Sequence, residues 1–169
     1  NSWMQTPAGA ELVDGRFVVT DWWAAIFNPS FPYRFAHMVA ACYLTTAFVV
    51  IGVSAWYLRH KRHEDTARTA FSMGLGLVAI LAPLQLIIGD LHGLNTFEHQ
   101  PAKVAAMEGH WETQEGAPMI VFGIPDEERE MNHAEIKIPL LGSLILTHEA
   151  MGEVRGLKAW PKDERPPVA

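Results

Sequence analysis

Cysteine is nearly absent: Cys42 stands alone among 169 residues. An internal disulfide and a zinc–thiolate framework are therefore excluded. Basic residues are also few, 13 Lys and Arg against 19 acids for a net charge of -6. Phosphate binding needs a concentrated basic surface, so nucleic acid is excluded as a partner. No internal repeat and no low-complexity tract is present. No basic-then-apolar leader precedes Asn1, so no signal peptide is expected and the sequence reads as the middle of something longer. Charge itself is missing from two long stretches, and these carry the reading of the fold.

The run Phe35 to Leu58 (FAHMVAACYLTTAFVVIGVSAWYL) has no Asp, Glu, Lys or Arg over 24 residues. At about 1.5 Å of rise per residue, a helix of that length crosses a hydrocarbon core about 30 Å thick. Trp56 and Tyr57 at its end suit a membrane–water interface. A second uncharged run, Ala70 to Ile88, has 19 residues with Pro83 inside. A membrane helix tolerates such a proline where neighbours re-satisfy the freed carbonyl. The expected fold is all-α, two transmembrane helices plus a long outer loop with short helices.

Between the runs, RHKRHEDTAR (Arg59 to Arg68) holds four Lys or Arg against two acids. After Ile88 there are seven against fourteen. Short loops rich in Lys and Arg stay in the cytoplasm. The hairpin therefore turns inside. The expected organisation is an outer interfacial segment over residues 1–34, a span over 35–58, and a cytoplasmic loop over 59–69. A second span over 70–88 and an outer segment over 89–169 complete it. Trp3, Trp22 and Trp23 in the first segment suit short helices at the membrane surface. In the last segment, Pro101 suits the first residue of a short helix running through Lys103, Ala106 and Glu108 to about Trp111. FGIPD (Phe122 to Asp126) reads as a turn, Ile136 to Leu146 as an apolar stretch, and the end near Pro161, Pro166 and Pro167 as extended chain. An outer loop this long is functional or disordered, and its apolar content argues against full disorder.

His37 lies three residues into the first span. An ionisable group inside a membrane is a functional candidate because burying it unpaired costs free energy. A neutral imidazole is a common axial ligand of haem iron, and Ala40 and Ala41 would let a flat macrocycle approach. A histidine hydrogen-bonded to a neighbouring helix or to interfacial water fits the same residues. GDLHGLNTFEHQPAKVAAMEGHWETQ (Gly89 to Gln114) crowds His92, His99 and His110 with Asp90, Glu98, Glu108 and Glu112. The histidine intervals match no familiar metal-ligand spacing. A proton-handling site for a redox substrate is a second reading and a solvated polar loop a third. On a helix, Lys103 and Glu108 would stand about 140° apart, flanking a ligand rather than pairing. Cys42, Met38 and Met73 read as packing residues, and Asp126 to Glu130 as a solvated acidic turn.

NSWMQTP (Asn1 to Pro7), FAHMVAACY (Phe35 to Tyr43), SAWYL (Ser54 to Leu58), KVAAMEGHWETQ (Lys103 to Gln114) and FGIPD together resemble subunit I of the cytochrome bd quinol oxidases, in the same order and over nearly the whole chain. The GDLHGLNTFEHQP lead-in and the compact loop after FGIPD resemble the short-loop branch, which includes the cyanide-insensitive oxidases. The resemblance implies that His37 is an axial ligand of the low-spin haem b iron. It implies that Lys103 and Glu108 bind and oxidise quinol in a periplasmic Q-loop. It places the ligands of the high-spin haem b and of haem d, and the second axial ligand, in other parts of the subunit. It further implies a bacterial inner-membrane complex with subunit II, lipid around the helices, and O2 reduced to water. Two rivals stay open. Another membrane cytochrome b, such as a quinol dehydrogenase anchor, would place two haem histidines in its spans, where these offer only His37. A non-enzymatic membrane subunit would use the outer loop to bind metal or a partner protein.

Overall fold

The computed structural model describes residues 2–168. They divide into two compact units, residues 1–92 and 93–169.

The first unit opens with a short helix, α1 (Ser2–Gln5), and a hairpin of β1 (Ala10–Val13) and β2 (Arg16–Val19). The alternating segment AELV-DG-RFVV accounts for it. Asp14 and Gly15 both take positive φ, 49° and 75°, as a two-residue type I′ turn requires. This hairpin departs from the expected all-helical segment. Asp21 then caps α2 (Trp22–Ile26), its carboxylate accepting from the N–H groups of Trp23 and Ala24 at 2.9 and 3.1 Å. A buried polar knot ties α1 to the following helix. Thr6 donates its hydroxyl to Asn28 Oδ1 (3.1 Å) and accepts from the Ser30 N–H (3.1 Å), with all three residues buried.

Helix α3 (Phe31–Arg59) contains the first uncharged run, and α4 (Glu64–His99) contains the second and continues well past Ile88. Both are long and apolar enough to cross a membrane. Pro83 does not interrupt α4. Gln100 cannot continue it because Pro101 follows, and its backbone is pushed out of the helical region (φ −140°, ψ 62°). The residues buried in α3 are Ala40, Ala47 and Ser54, spaced by seven; Ala67 and Gly74 of α4 are buried at the same spacing. A seven-residue repeat keeps one seam facing its neighbour, and small side chains bring helix backbones close where no water drives association. A Cβ on Gly74 would stand 2.8 Å from Ile51 Cγ1 and 3.3 Å from the Ala47 carbonyl oxygen. Because small residues fill the seam, the large ones point away from it. Met38, Met73 and Cys42 are exposed on the hairpin rather than packed inside it, correcting the sequence reading.

The second unit is not all helix. After α5 (Pro101–Met107) come β3 (Gln114–Glu115), β4 (Met119–Asp126), β5 (Met131–Ile138), α6 (Leu141–Thr147) and β6 (Glu153–Val154). Strand β3 pairs with β6, and β4 with β5, both antiparallel. Helix α5 is shorter than expected, ending at Met107 rather than near Trp111. FGIPD lies within β4 and not in a turn. Its glycine and proline sit where the register shifts near Gly123 and where the strand approaches its end at Pro125, positions a ladder tolerates. The apolar stretch from Ile136 is divided between the end of β5 and α6.

Two small clusters form the core of this unit. Val104, Ala117, Leu146 and Val154 pack with Phe97, and Ala105, Ala106, Trp111 and Leu157 pack with Trp160 and Val168. Buried Ser143 joins α6 to the strands: it accepts from the Ala117 N–H (2.7 Å) and donates to the Gly152 carbonyl (2.6 Å). The acidic run is not simply solvated. Glu130 accepts from Arg165 (3.0 Å) and Lys162 (2.8 Å), clasping the C-terminal segment, and Asp126 pairs with His133 (3.0 Å).

Candidate functional site

His37 is half-buried on α3, one turn before Ala40. Gln85 of α4 reaches it twice: its amide nitrogen lies 3.1 Å from His37 Nε2 and 3.2 Å from the His37 carbonyl oxygen. An amide nitrogen only donates, so in this arrangement His37 Nε2 is the acceptor and its lone pair is engaged by Gln85. Nδ1 is buried without a hydrogen-bond partner among the described residues, as is Gln85 Oε1. On α4, Gly89 faces the ring; a Cβ there would come within 3.2 Å of His37 Cε1. The His92 ring lies 5.9 Å away, tilted by 50°. An axial haem ligand must offer iron a free imidazole lone pair, so His37 would hold a haem only once the Gln85 contact at Nε2 is exchanged for the metal; Gly89 leaves the ring edge clear. Sequence reasoning missed Gln85. The available signal was an amide in an otherwise apolar run, a group that needs a partner in lipid.

In the second unit, Lys103 and Glu108 lie on and just beyond α5, and the structure places them in separate concavities. Lys103 lines a largely apolar hollow of about 580 Å³ with His99, Pro101, Met107, Trp160 and the Pro166–Pro167 pair. Glu108 lines a smaller, more polar one of about 260 Å³ with Gly109, Phe122, Gly123, Asn132 and Val168. Met107 borders both. The two residues thus lie on either side of Met107 in separate hollows, rather than flanking one shared ligand space, and Glu108 caps α5 instead of lying within it.

Glu108 is half-buried at the C-terminus of α5, its N–H bonded to the Val104 carbonyl (2.9 Å). Burial pushes its carboxyl above the usual carboxylate range, because desolvation penalises the charged form. His110, two residues on, is deeply buried with Nε2 unpartnered among the described residues. Burial and, secondarily, the nearby Lys137 lower its pKa, while Glu135 acts in the opposite sense. Glu112 is turned outward to Lys158 at 2.5 Å. Among the described residues, no group of three His, Cys, Asp or Glu side chains gathers as a metal site. Beyond Gln85, sequence reasoning missed the wall opposite α5, because Trp160 and Pro166–Pro167 lie about sixty residues further along the chain than Lys103.

The chain is 39% identical over 163 residues to the cytochrome bd-II ubiquinol oxidase subunit 1 of Escherichia coli K12, covering 94% of this chain and 31% of that protein. It is 32% identical over 160 residues to the cytochrome bd ubiquinol oxidase subunit 1 of Bacillus subtilis 168, covering 94% and 34% respectively. The bd oxidase of Geobacillus thermodenitrificans matches its fold with a TM-score of 0.85 at 36% identity, over 99% of this chain and 38% of that one. The chain therefore spans about a third of the length of these relatives. The family model described as cytochrome bd terminal oxidase subunit I matches residues 1–169, and the chain belongs to that family.

Proposed function

We propose that this chain is the electron-entry part of a quinol-oxidising respiratory oxidase, active only within the full-length subunit and its complex. The observation that carries the reading is Glu108, a half-buried carboxyl held above its ordinary pKa, across Met107 from the hollow lined by Lys103. A base poised nearer neutrality is suited to taking a hydroxyl proton. Oxidation of a quinol to a quinone releases two electrons and two protons. Lys103 holds one quinol oxygen by charge-assisted hydrogen bonding, and Glu108 accepts one proton from a quinol hydroxyl. The other proton passes to the outer solvent, and the two electrons leave one at a time to the acceptor the complete enzyme would supply.

His37 is the residue that would hold the low-spin haem b, which when bound supplies a one-electron acceptor. Gln85 orients the ring from α4 and would release Nε2 for iron to bind there. The Arg59 to Arg68 loop faces the cytoplasm, and residues 1–34 and 89–169 face the periplasm of a bacterial inner membrane. In the complete enzyme, with subunit II and the remaining helices of subunit I, a high-spin haem b and a haem d held outside this chain would supply the chemistry that reduces O2 to water. The names of the relatives, which specify ubiquinol or menaquinol oxidases, support quinol as the substrate.

The test uses the full-length subunit with its partner in membranes. His37→Ala should remove the low-spin haem b band from the reduced-minus-oxidised spectrum; a persisting band sinks that assignment. Glu108→Gln should lower quinol oxidation by about a hundredfold, the scale of a general base, while leaving the spectrum intact. Unchanged turnover would remove Glu108 from the chemistry.

A further inference from the structure

We propose that Trp160 and the Pro166–Pro167 pair form the wall that seats the ring of the quinol, making Trp160 a positioning residue for substrate binding. The inference rests on the reading that this unit oxidises quinol. The Lys103 hollow has about 580 Å³ and is dominated by apolar surface, within the size range of pockets that take small organic ligands. A flat aromatic diol needs two things from such a pocket: an apolar face for the ring, and a polar group at an oxygen. Lys103 answers the second need. The first is met by Trp160, the largest aromatic side chain lining the hollow among the described residues, and by two prolines whose rings carry almost no rotamer freedom to lose on binding.

The wall is also held in place. Trp160 packs against the buried cluster of Ala105, Ala106, Trp111 and Leu157, so the helix carrying Lys103 and the indole share one core. The Trp160 backbone N–H donates to the Leu157 carbonyl (3.1 Å), and its backbone carbonyl accepts from Arg165 Nε (2.8 Å). Arg165 is in turn fixed by Glu130 at 3.0 Å, both side chains being largely buried. Val168, just past the two prolines, gives its N–H to Glu127 (3.1 Å). An exposed tail would need none of these ties. They keep the Trp160 to Pro167 segment against α5, as a preformed binding surface requires.

The experiment measures turnover of a short-chain benzoquinol by the full-length subunit with its partner. Trp160→Ala should raise KM about tenfold, with kcat within about twofold and the haem spectrum unchanged, and Trp160→Phe should restore most of the lost KM. An unchanged KM in Trp160→Ala, with Lys103→Ala and Glu108→Gln still impaired, overturns this inference alone. Normal turnover in all three variants overturns the quinol-loop reading with it. Should Trp160→Ala fail to assemble, photolabelling of the wild-type complex with a short-chain azidoquinone decides. Label on the peptide holding Trp160 and Pro166–Pro167 supports the wall; label only on other peptides removes it.

Discussion

Glu108 sits where water is partly excluded, and its proton is held to higher pH than on a free carboxyl. The sign of the linkage follows. A folded-state pKa above the unfolded value favours the folded protein at low pH, and that contribution is lost as pH rises through the raised value. Glu108→Gln should therefore flatten the pH dependence of stability between the ordinary value of 4.5 and the raised one, read by denaturant titration of the assembled subunit. In activity the direction reverses, since only the ionised carboxylate accepts a proton. The acid limb of the kcat/KM profile for quinol should lie above 4.5 and be absent from the Gln variant. Gln85 carries a second prediction. Gln85→Leu removes both bonds to His37, at a cost of about 1 kcal/mol typical for membrane hydrogen bonds. It should shift the position or potential of the low-spin haem b signal; identical spectra and potentials would show that the amide does not act on the ring. At this scale the sequence singled out His37 as an ionisable group in an apolar run, and Lys103 and Glu108 through the family resemblance. It hid Gln85, whose importance comes from a partner 48 positions away.

Elements were legible where a period or a breaker dictated them. Two charge-free runs announced α3 and α4, and Pro101 marked the start of α5. The end of α4 was not legible, since polar residues from Asp90 onward look like loop yet are perfectly good helix formers until Pro101 intervenes. FGIPD misled for the opposite reason: Gly123 and Pro125 resemble a turn, while ladder bonds to β5 decide the conformation. The β1–β2 hairpin was available in the Asp14-Gly15 pair between alternating residues and went unread. The seam between α3 and α4 was legible only as a seven-residue spacing of small residues, which acquires meaning once two helices are side by side. Gly74→Val should force Ile51 aside and destabilise the hairpin by about 1–3 kcal/mol, the range for overpacking, whereas Gly76→Val should cost far less because open space surrounds that position. Comparing the thermal loss of the assembled, haem-loaded subunit in the two variants checks this; equal losses would mean the seam does not bear the load.

For the molecule as a whole, charge bias is the ground for the proposed orientation, and composition carried the block structure of two apolar helices and a polar second unit. The mixed α and β character of residues 93–169 was out of reach, because strands such as β3 and β6 have two residues each and exist only through pairing with distant chain. The orientation has its own test. A single cysteine introduced at Lys61 should react with a membrane-impermeant thiol reagent only in inside-out vesicles, and one at Glu128 only in right-side-out ones; the converse pattern would reverse the topology. The bond between Gln85 and His37 reaches further than the site it shapes. Each helix, released alone into lipid, would carry one polar group with nothing to meet it, while the pair satisfies much of that demand internally. Only four residues, His60 to His63, separate the end of α3 from the start of α4. Entry into the bilayer thus becomes a cooperative event of the hairpin, with the second helix rescuing the solubility of the first in oil.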